Sequence, residues 1–378
     1  VISQSHFDGP YIAAELVIAT FSTTGNLLVC LAVKQNKRLQ TVTNYFLVSL
    51  AVADFFVGAL AIPCAILTDL GMPYHNLYFC ILILSVLIML THTSIFSLLA
   101  VAVERYIAIL LPLHYHRIMR PWNARLIILT TWLLAFLTGS IPLMGWHKTP
   151  PQSSHCFFAC VIDLTYMVYF NFFGCMLVPL VVMFVIYAHI FMTVRRQMRR
   201  ITALQAGAKG PANRAVSLRR EVRKATSLFL LLFLFTICWI PMHVINCFLL
   251  VCPQCNVPEP IMLMAILLSH ANSAFNPLLY AYRMKSYRQT VKTMFLCCRA
   301  TAEPESRNHF IRGGGILKSC PQKVATCFIK LISNKQMLSD CCSYVNKLCT
   351  AVNILLCGVA CTSICCIMMC NEYKYFKI

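Results

Sequence analysis

Seven long apolar runs organise this chain, and their near-total lack of charge leaves few folds open to it. They cover residues 11–33, 43–68, 77–103, 126–146, 164–194, 225–251 and 260–282. Each is near or above the ~20 residues that a helix needs to cross ~30 Å of hydrocarbon. Within the runs the charged side chains are Glu15 and Asp54, with Glu104 and Arg105 at one rim. A carboxylate in lipid is costly unless it faces a cavity or a partner, so these positions are functional candidates from the outset.

Hydrophobic residues make up 59% of the chain and charged residues 12%, too little polar surface to cover a water-soluble fold. The formal net charge is +20, and up to residue 299 the basic residues other than Lys148 all lie in segments 34–38, 105–125, 195–224 and 283–299. The alternate segments 69–76, 145–163 and 252–259 hold one base, Lys148. By the positive-inside rule the basic loops are cytoplasmic and the N-terminus extracellular, as in a multi-pass plasma-membrane protein. Topology and anionic membrane lipid account for the charge, which therefore does not argue for nucleic acid. The expected fold is an all-α membrane protein, a seven-transmembrane helix bundle with a short amphipathic cytoplasmic helix. Its expected division is a tail over 1–10, a seven-transmembrane domain over 11–282, the amphipathic segment over 283–299 and a Cys-rich tail over 300–378.

Pro63, Pro142, Pro179, Pro241 and Pro277 sit inside apolar runs and are expected to kink five helices. The third cytoplasmic loop, 195–224, has ten Lys/Arg and one acid, Glu221, and is expected to extend two helices beyond the bilayer. Apolar and basic residues alternate at helical spacing over 284–296, as in an interfacial helix. Cys297 and Cys298 end that stretch, a placement suited to S-palmitoylation. Cys80, Cys156, Cys160, Cys252 and Cys255 fall at the outer side, where disulfides are permitted. Cys30, Cys64, Cys175, Cys238 and Cys247 read as small packing residues.

Five short motifs fall in order on these runs. They are Gly25-Asn26, Leu50-Ala51-Val52-Ala53-Asp54, Glu104-Arg105-Tyr106 with Trp132 after it, Cys238-Trp239-Ile240-Pro241 and Asn276-Pro277-Leu278-Leu279-Tyr280. The set resembles a rhodopsin-class G protein-coupled receptor. Narrower strings, including the stretches 166–173 and 239–246, Cys252-Pro253-Gln254-Cys255 and Ser269-His270, resemble the adenosine receptors over residues 10 to 299.

That resemblance implies adenosine as ligand, and the residues suit it chemically. Adenine offers a flat π face and a donor beside an acceptor, the pattern that an amide side chain complements. Asn246 matches the family's adenine-binding amide and Phe158 its stacking aromatic. Leu87, Ile88, Met167, Trp239, Met242 and Ile266 match apolar walls, although such residues are as often packing as contact. Thr91, His243, Ser269 and His270 match positions that face the ribose, with Glu15 orienting His270. His92, deep in the third run, reads instead as a core histidine satisfied by its neighbours.

The resemblance also implies a transducing role through a heterotrimeric G protein. Arg105, flanked by Glu104 and Tyr106, would pair with Glu221 in the resting state, and Tyr187 and Tyr280 complete the switch. The family usually has Asp where this chain has Glu104. Asp54, Ser94, Asn272 and Asn276, with Asn26 nearby, resemble the family's sodium site; a water-filled polar network without an ion is the alternative. Cys80 with Cys156, and Cys252 with Cys255, are expected to be bridged, leaving Cys160 without a mate. Ala159 and His92 resemble the subtype that couples to the inhibitory G protein class and lowers cyclic AMP, while His243 resembles the others. A related receptor for another small or lipid ligand is the runner-up.

Other classes lack their chemistry. No Lys lies in 260–282 to carry a retinal Schiff base, no acid lies near Leu87 to bind an amine, and Asp54 has no second acid at its depth for hydrolysis. No cofactor is expected beyond an allosteric sodium ion. Beyond residue 299 the resemblance stops. The uncharged stretch 348–371 is open to three readings: an eighth crossing, a palmitoylated tail, or a translated non-coding extension, the last favoured because such a tail is an aggregation hazard.

Overall fold

The computed structural model of the chain describes residues 9–70, 76–148, 156, 158–205 and 212–302, and the side chains of all of these except 159, 201–205, 212–221, 223, 224 and 295–302. The expectations on Glu221, on Cys297 and Cys298 and on the tail therefore lie outside the described side chains.

Among the described residues seven helices are long and apolar enough to cross a membrane: Gly9–Gln35, Val42–Asp69, Leu77–Leu110, Pro121–Gly139, Tyr166–Arg200, Ala225–Val251 and Glu259–Arg283. They are called here the first to seventh crossing helices. Local chemistry sets their ends. Thr41 caps the second through a bond from the Asn44 amide, and the Asn76 side chain accepts from the Phe79 amide at 3.0 Å to start the third. The fourth ends at Gly139, earlier than the apolar run suggests. Pro142 follows in a tight 3₁₀ turn, Ile141–Met144, so this proline terminates its helix rather than kinking it. Pro63 and Pro179 adjoin widened π-helical segments, Val57–Ala61 and Tyr166–Leu177, whereas Pro241 and Pro277 sit inside continuous helices. The fifth helical stretch runs to Gln205 and the sixth begins at Ala212, so both extend into the basic loop.

The third crossing helix is central, packing against the second, fourth, fifth and sixth. Polarity runs opposite to that of a soluble protein. Phe21, Leu133, Phe136 and Val185 are each more than half exposed, while Asn26, Asp54, His92 and Glu104 have no exposed surface. With hydrocarbon outside, apolar side chains lose nothing by facing outward and polar ones must find partners within. Trp132 donates its indole N–H to Ser49 at 3.0 Å, tying the fourth helix to the second.

The loop after the fourth helix is pinned at two points. Cys80, at the start of the third helix, is bridged to Cys156 with Cα atoms 5.8 Å apart. The Lys148 amide donates to the Val161 carbonyl at 2.8 Å beside a bridge between His147 and Ile162. Val161, Ile162, Tyr166 and Met167 pack there with Ile81, Leu84 and Ile88 of the third helix, and Cys160 is a free thiol against the same cluster. Cys252 and Cys255 form a second bridge around a tight turn. Beyond the bundle, Lys285–Ala302 forms a helix of its own, and Tyr280 and Tyr287 meet edge to face with ring centroids 6.3 Å apart.

Gly139 marks a close approach of the third and fourth helices: a Cβ there would lie 2.7 Å from the Met89 Cα and 2.8 Å from its nitrogen. Because backbone cannot move aside cheaply, Gly139→Ala should destabilise the receptor by about 1–3 kcal/mol. Gly174→Ala, whose nearest neighbour is the Tyr169 carbonyl at 4.0 Å, should not. Thermal denaturation in detergent checks this, and equal melting temperatures for the two variants would contradict the close packing.

Candidate functional site

A cavity of about 340 Å³ opens among the second, third, fifth, sixth and seventh crossing helices and the loop that carries Phe158. Helical spacing aims its walls. Leu84, Leu87, Ile88 and Thr91 form one face of the third helix, and Trp239, Met242, His243 and Asn246 one face of the sixth. Met262, Ile266, Ser269 and His270 do the same on the seventh, and Met167 and Asn171 come from the fifth. Every residue expected at the ligand lines this cavity except Glu15, which stands behind it. The sequence reading missed Asn171, Thr68, Asp69, Leu249 and Met262 as lining residues.

The wall is mostly apolar but carries nitrogen atoms without partners. Trp239 Nε1, both ring nitrogens of His243 and Asn246 Nδ2 are buried with no hydrogen-bond partner among the described residues. Each such group costs about 1–3 kcal/mol while it stays unsatisfied. Four of them converging on one cavity mark a place built to receive polar atoms. His243 is stacked on Phe172 at 4.7 Å, which fixes its ring. The hydroxyls of Thr91 and Ser269 donate to their own helices, at Leu87 and Ile266, so toward a ligand they offer lone pairs rather than protons.

Glu15 and His270 form a buried pair. The carboxylate oxygens lie 2.9 and 2.8 Å from His270 Nδ1, so Nδ1 carries a proton and Nε2 is left for other partners. His92 is fully buried and sits between Thr138 Oγ1 at 2.8 Å and Asn171 Oδ1 at 3.1 Å. It is a satisfied core histidine, and it holds Asn171, which does line the cavity. The only prior signal for Asn171 was an amide inside an apolar run.

Deeper in the bundle, Asp54 accepts from Ser94 at 3.3 Å, Ser273 at 2.9 Å and the Asn276 amide at 2.6 Å. Ser273 was not anticipated. Asn272, which was, lines a second, small cavity with Ser94, Ser273 and Trp239 and makes none of these bonds. One residue along a helix turns a side chain by about 100°, and that rotation decides which of two adjacent polar residues reaches the carboxylate. Asn26 donates to the Ser22 and Ser273 carbonyls, and its own amide oxygen is a buried acceptor without a partner. A single carboxylate amid hydroxyl and amide oxygens suits a hard monovalent cation; the His/Cys/Asp/Glu clusters that hold transition metals are absent among the described residues.

At the end of the third helix away from the cavity, Glu104 grips Arg105. The guanidinium Nε and Nη2 reach the two carboxylate oxygens at 2.5 Å each, and Nη2 also donates to Thr43 at 2.7 Å. Thr43 and Tyr115 in turn donate to Glu104 Oε1, at 3.1 and 2.6 Å. Burial, and then the bonded Glu104, push the Tyr115 phenol above its ordinary range, so it stays a donor at neutral pH. Tyr106 lies against the His189 ring at 5.6 Å, and Tyr187 is buried beside Phe191 and Phe229.

Comparison with known proteins identifies this architecture. The family described as 7 transmembrane receptor (rhodopsin family) matches residues 25–280. Human adenosine receptor A2a is 44% identical over 299 residues, which are 75% of this chain and 71% of the relative. Adenosine receptor A2b of Gallus gallus is 44% identical over 303 residues, 74% of this chain and 86% of the relative. Human adenosine receptor A2b is 43% identical over 315 residues, 78% and 92% respectively. Such proteins are multi-pass membrane receptors rather than enzymes. The chain belongs to the rhodopsin family of seven-transmembrane receptors, and within it to the adenosine receptors.

Proposed function

We propose that this receptor binds extracellular adenosine in the cavity of about 340 Å³ and activates a heterotrimeric G protein of the inhibitory class, lowering cyclic AMP. The observation that carries the ligand is the buried, unpartnered Asn246 Nδ2 facing an otherwise apolar slot. An adenine edge supplies the ring acceptor that this amide lacks and the amine donor for its oxygen. Phe158 stacks on the ring, and Leu87, Ile88, Met167, Met242 and Ile266 enclose it. The ribose hydroxyls meet His270, Ser269, Thr91 and His243, with Glu15 holding the His270 tautomer.

The transducing step follows from the same geometry. Trp239 lines the cavity, and Pro241, two residues on, interrupts the backbone ladder of the same helix. Ligand contact at Trp239 biases the swing of the helix half that precedes Pro241, and releasing Arg105 at the cytoplasmic rim admits the G protein. This is a coupling free energy between two sites. The extracellular placement of the N-terminus is supported by the basic residues of the opposite loops. Sodium at Asp54, held by Ser94, Ser273, Asn272 and Asn276, favours the resting arrangement by keeping those helices together. Palmitate on Cys297 and Cys298 belongs to the same reading.

Inhibitory coupling rests on Ala159 and His92, and the A2a and A2b likeness of the chain does not follow that subtype. Adenosine applied to cells expressing the receptor should lower forskolin-raised cyclic AMP. A rise instead would overturn the inhibitory class and leave the adenosine reading standing.

Asn246→Ala should weaken adenosine and adenine-like antagonists together by about 1–3 kcal/mol, because both use the ring edge. His270→Ala should weaken the ribose-bearing agonist more than the antagonist. Radioligand displacement on surface-expressed variants checks both, and wild-type affinity for adenosine in Asn246→Ala would end the adenosine reading.

If sodium occupies the Asp54 site, raising NaCl should weaken agonist binding and spare antagonist binding. Asp54→Asn should then abolish the salt response; an unchanged response in the variant leaves only a hydrated polar network.

A further inference from the structure

One acid on the cavity wall has no role in the reading above. Asp69 closes the second crossing helix, lines the cavity and is exposed. An acid in the last turn opposes the helix dipole, so its presence is not explained by the stability of its own helix. Its partner among the described residues is the Tyr11 hydroxyl, which donates to Oδ2 at 3.1 Å. Tyr11 and Glu15 lie one turn apart on the first helix, and each meets a cavity-lining side chain, Tyr11 at Asp69 and Glu15 at His270. The two acids differ in what they meet. Glu15 is buried against an imidazole, whereas Asp69 is exposed and meets a neutral phenol through one oxygen. Among the described residues no Lys or Arg lines that cavity.

We infer that Asp69 makes its end of the cavity a cation-selective subsite, favouring nucleoside ligands whose adenine carries a flexible ammonium arm. The inference rests on the adenosine reading and deepens it: the ring occupies the Asn246 slot, and the arm runs between the first, second and seventh helices to the carboxylate. Tyr11 fixes one carboxylate oxygen and leaves the other for the arm. Because Asp69 is exposed, the ion pair stays partly hydrated and screened by salt, so it tunes selectivity rather than supplying most of the affinity.

The test compares matched adenosine derivatives, one with a short alkylammonium arm and one with the same arm capped as the neutral acetamide. The arm is attached in turn at the exocyclic amine and at the ring carbon between the two pyrimidine nitrogens. On the wild-type receptor the ammonium form should bind about three- to fivefold more tightly than its capped partner at one of these positions, the size of an exposed ion pair. That preference should shrink in high salt. Asp69→Asn, which keeps the bond from Tyr11, should bring the ratio to about one. Tyr11→Phe should keep the preference. A ratio that is the same in wild type and Asp69→Asn at both positions, with adenosine bound by both proteins, overturns this inference alone. Failure of adenosine to bind the wild-type receptor overturns the adenosine reading and this inference with it.

Discussion

A polar group taken out of water must find a partner inside the protein, and here three acids impose that rule on the bundle. Asp54 draws hydroxyls and an amide from the third and seventh helices. Glu15 binds the first helix to the seventh through His270. Glu104 gathers Arg105, Thr43 and Tyr115 at the opposite rim. Lipid supplies no hydrophobic drive between helices, so these satisfied acids, together with close approaches such as Gly139 on Met89, fix how the helices sit. Removing one partner would leave a buried charge exposed to hydrocarbon, which is why these arrangements behave as units.

The ligand cavity inverts that rule. Where the buried acids are all bonded, Trp239, His243 and Asn246 keep nitrogen atoms without partners among the described residues, on a single wall. An enclosed apolar slot strengthens whatever hydrogen bonds form there and penalises a ligand that leaves them unmade. Specificity thus comes from the few polar atoms and affinity from the apolar area around them. The same helices that present these atoms also carry Pro241 and Pro277, so the residues that read the ligand sit on the elements best able to move.

Much of the site was legible because helical periodicity turns spacing into direction. Trp239, Met242, His243 and Asn246 share a face at steps of three and four residues, and the family resemblance said which face looks inward. What spacing did not give was the choice between neighbours. Asn272 and Ser273 are adjacent and both polar, and only the rotation of the seventh helix against Asp54 makes Ser273 the donor. Asp69 lies one residue beyond the apolar run, so a reading by hydropathy placed it in a loop; the helix runs through it. Pro142 looked like a kink and is a terminus, because a helix that has already ended at Gly139 has no ladder left to interrupt.

The sequence by itself determined the class of structure: seven apolar segments of spanning length admit little but a helical bundle in lipid, since no other open structure satisfies every backbone group there. It also determined the identities of the acids that need partners. Tertiary structure decided who those partners are. Glu15 and His270 are 255 residues apart and Asp54 and Asn276 are 222 apart, distances over which no local rule operates. Their meeting depends on helix rotation and packing, which are set by many weak side-chain contacts at once rather than by any motif.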